Sequence, residues 1–92
     1  MVASWYGHKY HGRQTASGAV FDMHALTAAH KTLPFGTRLR VTHPGNQRSV
    51  VVEVNDRGPF IKGRDLDLSL GAARALVMVD EGVARVHIER MN

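Results

Sequence analysis

The sequence predicts a mainly β protein: a small, closed β-barrel of five or six short strands with one or two short helices. Three observations carry that prediction. Arg38-Leu39-Arg40-Val41-Thr42 alternates strictly, with Leu39 and Val41 on one face and both arginines on the other, the period of a half-buried strand. His43-Pro44-Gly45-Asn46-Gln47 then gives a strong turn signal before a second apolar run, Val50-Val51-Val52-Glu53-Val54, so residues 38 to 55 read as a β-hairpin. The remaining apolar segments are short and separated by Gly and Pro, and one long helix cannot be drawn through any of them.

The elements follow in order. Val2 to Tyr6 reads as a strand with Trp5 and Tyr6 on opposite faces, ended by Gly7; Trp5 is expected in the core and Tyr6 beside a groove. His8 to Gln14 reads as loop. Thr15-Ala16-Ser17-Gly18-Ala19-Val20-Phe21-Asp22 is small, polar and Gly-containing, suited to a loop whose backbone something can approach closely, and Asp22 is its one acid. Leu26 to Lys31 is open between strand and helical turn, and Leu33 to Thr37 is a turn. Asp65-Leu66-Asp67-Leu68 alternates as a strand with the leucines inward, and Ser69 caps a short helix, Leu70 to Val77, with Leu70, Ala73 and Leu76 or Val77 on its buried face. Val83 to Glu89 is the last strand, with Ala84, Val86 and Ile88 inward.

Ninety-two residues suffice for a single domain, residues 1–92, with a modest core, and 43% hydrophobic against 22% charged residues is an ordinary globular composition. The absence of cysteine excludes disulfides, thiol catalysis and thiolate metal sites. A net charge of +4 suits an acidic or polyanionic partner: nucleic acid, anionic lipid or an acidic cell-wall polymer. There is no apolar run long enough to span a membrane, and no basic segment followed by an apolar stretch at the start. Phosphate-loop, nucleophile-elbow and His-Glu-x-x-His motifs are all missing. His8-x-x-His11 is the nearest approach to a metal pair and lacks a third ligand, so no metal is expected.

The candidate chemistry lies where the second hairpin strand ends, at Asn55-Asp56-Arg57-Gly58-Pro59-Phe60. A rigid strand delivering a carboxylate, a guanidinium and an aromatic ring to a Gly-Pro turn is a way to build a polar site. Asp56 continues the parity of Val50, Val52 and Val54, which places it at the rim of a core, where a partly desolvated carboxyl becomes a better proton donor. Spacing alone leaves the simpler alternative, that Asp56 organises the turn. His30 is a candidate proton shuttle or carboxylate partner, beside the plainer reading of an ordinary hydrogen-bonded histidine. The arginines of the hairpin have no interleaved aromatic residues, which disfavours a nucleic-acid surface.

Several separated motifs, Ala3-Ser4-Trp5-Tyr6-Gly7, Thr15-Ala16-Ser17-Gly18, Phe21-Asp22, Leu26 to Thr37 and Asn55 to Phe60, occur in one order along nearly the whole chain, and together they resemble the rare lipoprotein A family. The resemblance implies a six-stranded double-psi β-barrel, the fold also of the first domain of expansins. It implies a monomer in the periplasm or at the outer membrane, taking part in cell division. Its partner would be peptidoglycan glycan strands rather than nucleic acid, and no cofactor would be needed. The implied activity is that of a lytic transglycosylase, cleaving between N-acetylmuramic acid and N-acetylglucosamine of peptide-stripped strands to leave a 1,6-anhydro end. Asp56 matches the family's catalytic aspartate, acting as acid and then base, and His30 its histidine. Tyr6, Asp22, Asn55, Arg57 and Phe60 are the expected substrate-binding residues.

One position departs from the pattern. Where the family carries a second catalytic carboxylate, a glutamate after Thr-Ala-Ser-Gly, this chain has Ala19, as a natural variant or a deliberate replacement. A methyl group can neither stabilise a cation nor carry a proton, so the expectation is a chain that binds glycan strands and turns them over weakly or not at all. The alternative function is a noncatalytic, expansin-like polysaccharide-binding module.

Overall fold

The computed structural model describes residues 1–92. Seven strand segments are present: β1 (Val2–Tyr6), β2 (Thr27–His30), β3 (Arg38–Thr42), β4 (Ser49–Asp56), β5 (Leu66–Ser69), β6 (Val83–Arg85) and β7 (His87–Arg90), with one α-helix, α1 (Leu70–Ala75), and a single 3₁₀ turn at His8–Tyr10. The undecided stretch after Leu26 is therefore a strand. Its centre, Ala28-Ala29, is sandwiched between β4 and β5, and tertiary pairing overrides the helical preference of alanine.

The strands lie in the order β6-β1-β5-β2-β4-β3-β7. Only Val86 separates β6 from β7, so a single run of chain forms both ends of the sheet and closes it into a barrel. The sequence reads this run as one strand. It divides because its first half pairs antiparallel with β1 and its second half with β3, and one strand cannot keep register with two partners on different sides of the barrel. Val86 is the hinge, exchanging backbone hydrogen bonds with Met1 at 2.8 and 3.0 Å. Counted this way the barrel has six strands. Two parallel pairs, β1 with β5 and β2 with β4, are joined through the antiparallel contact of β2 with β5, which is the double-psi arrangement.

Alternate residues of every strand supply the core. Leu39, Val41, Val52, Val54, Leu66 and Leu68 are essentially inaccessible, as are Ala72, Ala73, Leu76 and Met78 at the helical end. Full burial of one such large side chain is worth roughly 1.5–3 kcal/mol, so this cluster is the main source of stability. Trp5 packs partly buried against it and donates its indole N–H to the Val79 carbonyl at 3.1 Å.

Ser69 caps α1 as predicted, its Oγ accepting from the Ala72 N–H at 3.2 Å. The helix is shorter than its apolar pattern suggests, and of the two candidate core residues Leu76 is buried while Val77 is exposed. The reason lies in the C-terminal closure. Met78 N–H bonds to the Ala73 carbonyl and Val77 N–H to the Arg74 carbonyl, each at 3.0 Å, the double bond pattern of a Schellman motif. Val77 thereby occupies the left-handed position at φ 53°, where glycine is usual, and Met78 turns back into the core.

Candidate functional site

A β-bulge creates the site. β2 and β4 run in parallel with Ala28 opposite Val54, but the next residue, Ala29, lies opposite Asp56, so Asn55 is an extra residue in β4. Strand parity is reset there. Val54 points into the core, whereas Asp56 joins the outward face of the sheet beside Ala29. This corrects the placement read from alternation, in which Asp56 shared the face of the valines: periodicity cannot register an inserted residue.

On that outward face the register builds a row. Ala29 is opposite Asp56 on one side and Asp67 of β5 on the other, and Asp67 is opposite Ser4 of β1. Two carboxylates thus flank an alanine methyl, with backbones two strand spacings, roughly 10 Å, apart. Ala29 leaves the gap between them open. They line a cleft of about 340 Å³ whose walls include Tyr6, Tyr10, Arg57 and Phe60.

The two acids have different surroundings. Asp56 Oδ1 accepts from the Ala16 and Arg57 backbone N–H groups, both at 2.9 Å, and Oδ2 receives the Tyr6 hydroxyl at a long 3.4 Å. All its protein partners are donors, which presents Asp56 as a fixed acceptor. Burial pushes the carboxyl of Asp67 above its ordinary range, against the opposing effects of a 2.9 Å hydrogen bond from Ser4 Oγ and the nearby charge of Arg64; the charge of Asp56 adds to the upward push. Asp67 therefore holds a proton more readily than an ordinary aspartate. Tyr6 of β1 is stacked on buried Phe21 at 4.5 Å and edge-on to Tyr10 at 5.7 Å. Burial, then the charges of Asp56 and Asp67, raises its hydroxyl pKa far above the usual value, so it remains a neutral donor.

Arg57 is pinned rather than free. Its guanidinium centres 4.0 Å from the Phe35 ring, and Nη1 donates to the Leu33 and His30 carbonyls at 2.9 and 3.2 Å. His30, expected to contact the carboxylates, makes no hydrogen bond to one. Its Nδ1 accepts from the Thr32 and Leu33 N–H groups at 3.1 Å, so the ring organises the turn after β2. Burial first, and the charge of Arg57 second, lower its pKa and favour the neutral acceptor form.

The other expected site residues are dispersed. Phe60 is an exposed lip of the cleft, 82% accessible. Asn55 forms the bulge and accepts Ser17 N–H on its backbone carbonyl at 3.3 Å, while its side-chain oxygen is buried without a protein partner. Asp22 lies outside the cleft, its carboxylate accepting from His24 N–H at 2.9 Å in a local turn. Ala19 is exposed in the loop that carries Ala16 to Asp56, and its carbonyl accepts from Thr15 N–H at 2.7 Å. Asp67 and Tyr10 were not legible as site residues. Asp67 occupies an outward position of an alternating strand, and only its cross-strand partner Ala29 reveals its neighbour.

A family model described as lytic transglycolase matches residues 1–88. Probable endolytic peptidoglycan transglycosylase RlpA of Synechocystis is 58% identical over 88 residues, covering 96% of this chain and 27% of that protein. Endolytic peptidoglycan transglycosylase RlpA of Campylobacter jejuni is 52% identical over 88 residues (96% of this chain, 32% of the relative), and that of Pseudomonas aeruginosa 53% over 88 residues (96% and 26%). The chain thus spans about a third or less of these relatives. Among solved structures, Streptomyces papain inhibitor superposes with a TM-score of 0.78 at 23% identity, covering 99% of this chain and 91% of the other. A mutant Clavibacter michiganensis expansin in complex with cellohexaose gives 0.75 at 22% identity, covering 99% and 48%. At such identities the structures speak for the barrel alone. The match along residues 1–88, together with relatives more than half identical over the same stretch, establishes that the chain belongs to the lytic transglycolase family.

Proposed function

We propose that the cleft binds a peptidoglycan glycan strand and that its two carboxylates are the catalytic groups of a lytic transglycosylase domain, acting outside the cytoplasm where its substrate lies. The observation that carries this reading is the row Asp56–Ala29–Asp67, two acids on the strands either side of β2 with only an alanine methyl between them. Cleavage through an oxocarbenium-like state needs a proton donor at the leaving oxygen and negative charge near the anomeric carbon. Asp67, held toward its protonated form, supplies the proton as the C1–O bond breaks, and Asp56 faces the developing cation. The C6 hydroxyl of the same sugar then attacks C1 and returns its proton to Asp67, closing a 1,6-anhydro ring without consuming water. Asp56 thereby keeps its catalytic place, with the proton transfers moved to its neighbour. Tyr10 and Phe60 offer apolar faces for the sugar rings, and Tyr6 positions Asp56.

Ala19 supports a second reading for this chain, a glycan-binding module with little turnover, because the resemblance implies a glutamate there. Release of anhydro-muropeptides from peptide-stripped glycan strands tests both. Ala19→Glu is expected to release them at least about tenfold faster than the chain itself, and Asp56→Asn or Asp67→Asn in that background to abolish release. Undiminished release by Asp67→Asn would refute the assignment of the proton donor. Equal, robust rates with and without Ala19→Glu would remove the binding-module reading.

A further inference from the structure

We infer that Arg57 is a receptor for a carboxylate carried by the substrate, a specificity-determining contact that rests on the glycan-cleft reading. Four observations converge on it. Arg57 is one of the residues that line the cleft. Its central carbon sits 4.0 Å from the centre of the Phe35 ring, and all its protein hydrogen bonds leave from one nitrogen, Nη1, to the Leu33, His30 and Asp56 carbonyls. Nε and Nη2 have no partner. No acid pairs with it either: the ion pairs of the molecule are Arg40 with Glu89 and His43 with Glu81, both elsewhere, and Asp56 turns its Oδ1 to backbone N–H groups.

A strut that only tied the turn after β2 to the end of β4 would need the Nη1 contacts alone. A planar cation immobilised through one nitrogen, with its other donors unpaired on a cleft-lining residue, has lost its rotamer entropy before binding and keeps the fork geometry that matches a carboxylate. Neutral sugar hydroxyls do not require it. Peptidoglycan offers carboxylates from two sources: the lactyl group of N-acetylmuramic acid once its peptide is removed, and the acidic residues of the stem peptide while it is attached. Both would reach the same guanidinium edge.

The test is binding by calorimetry to three tetrasaccharides of equal length: chitotetraose, which has no carboxylate; the peptide-free N-acetylglucosamine–N-acetylmuramic acid repeat; and the same repeat bearing stem peptides. At least one carboxylate-bearing ligand should bind about tenfold or more tightly than chitotetraose, consistent with one charge-assisted contact. An advantage confined to the peptide-free repeat assigns the lactyl group, and one confined to the peptide-bearing repeat assigns the stem. Arg57→Gln should abolish the advantage of the carboxylate-bearing ligand over chitotetraose, and Arg57→Lys should restore only part of it. Equal affinity of the unaltered chain for all three ligands would overturn the proposal and leave the glycan-cleft reading standing. An advantage that survives Arg57→Gln would likewise overturn it. Failure to bind any of the three would remove both. The comparison among ligands needs no variant, so misfolding of Arg57→Gln would not protect the proposal.

Discussion

Ser69→Ala should cost this domain about 3 kcal/mol, a large effect for one hydroxyl. Ser69 is fully buried, and its Oγ serves three backbone groups: it accepts from Ala72 N–H at 3.2 Å and Thr27 N–H at 3.3 Å, and it donates to the Ala25 carbonyl. Loss of a serine N-cap costs about 1 kcal/mol. Each of the other two backbone groups, left without its partner in a closely packed region, costs about another 1 kcal/mol. For 92 residues the entropy of unfolding is roughly 0.19 kcal/mol/K, so the midpoint should fall by about 15 °C. Urea unfolding followed by the single tryptophan, Trp5, measures the change at constant slope. Thr27→Val is the matched control, because Thr27 Oγ1 is buried with no hydrogen-bond partner and its removal should leave stability unchanged or improved. A loss below about 1 kcal/mol for Ser69→Ala, or an equal loss for Thr27→Val, would refute the view that this hydroxyl ties the loop before β2 to β5 and α1.

Two further outcomes follow from features of the site and the helix end. The carboxyl of Asp67 has a folded-state pKa above the 3.8 of an unperturbed aspartate, so the folded chain binds the proton more tightly than the unfolded one. Its stabilising contribution is complete below pH 3.8 and is lost as the pH rises through the folded-state value. At neutral pH the buried charge is a cost, so Asp67→Asn should be the more stable protein at pH 7, with an advantage that shrinks as acid is added; unfolding curves at several pH values check it, and a destabilised variant at pH 7 would contradict the stated cause. Val77→Gly should raise stability by about 1 kcal/mol despite removing a side chain, because a β-branched residue at φ 53° is strained and its side chain is mostly in solvent. Thermal or urea unfolding reads this directly, and a loss of stability would show that the exposed valine packs usefully.

The sequence carried the local part of this structure. Alternation located β3, β4 and β5 because each buries one face, and Leu39, Val41, Val52, Val54, Leu66 and Leu68 are all in the core as the period requires. Ser69 was legible as a cap because capping is a contact within one turn. What escaped was set by partners distant in sequence. Asn55 looks like any other residue of β4 until β2 is laid beside it, and only then does the bulge appear that turns Asp56 outward. Asp67 needs the β5–β2 register to become the neighbour of that acid. His30 presents the same imidazole to either reading; its ring faces Thr32 and Leu33 N–H because the chain turns back tightly there. Val77 followed the helical period but sits where the helix has already closed.

The run from Val83 to Arg90 pairs with β1 through its first half and with β3 through its second, and that dual engagement bears on how the protein is made. Its contact with β1 joins residues some eighty positions apart, a high contact order for so short a chain. During synthesis β1 to β5 emerge first with open edges at β1 and β3, and neither can be satisfied until this last run is available. Folding of the barrel therefore waits on its final segment, and the period before closure is when unpaired edges are exposed to other chains.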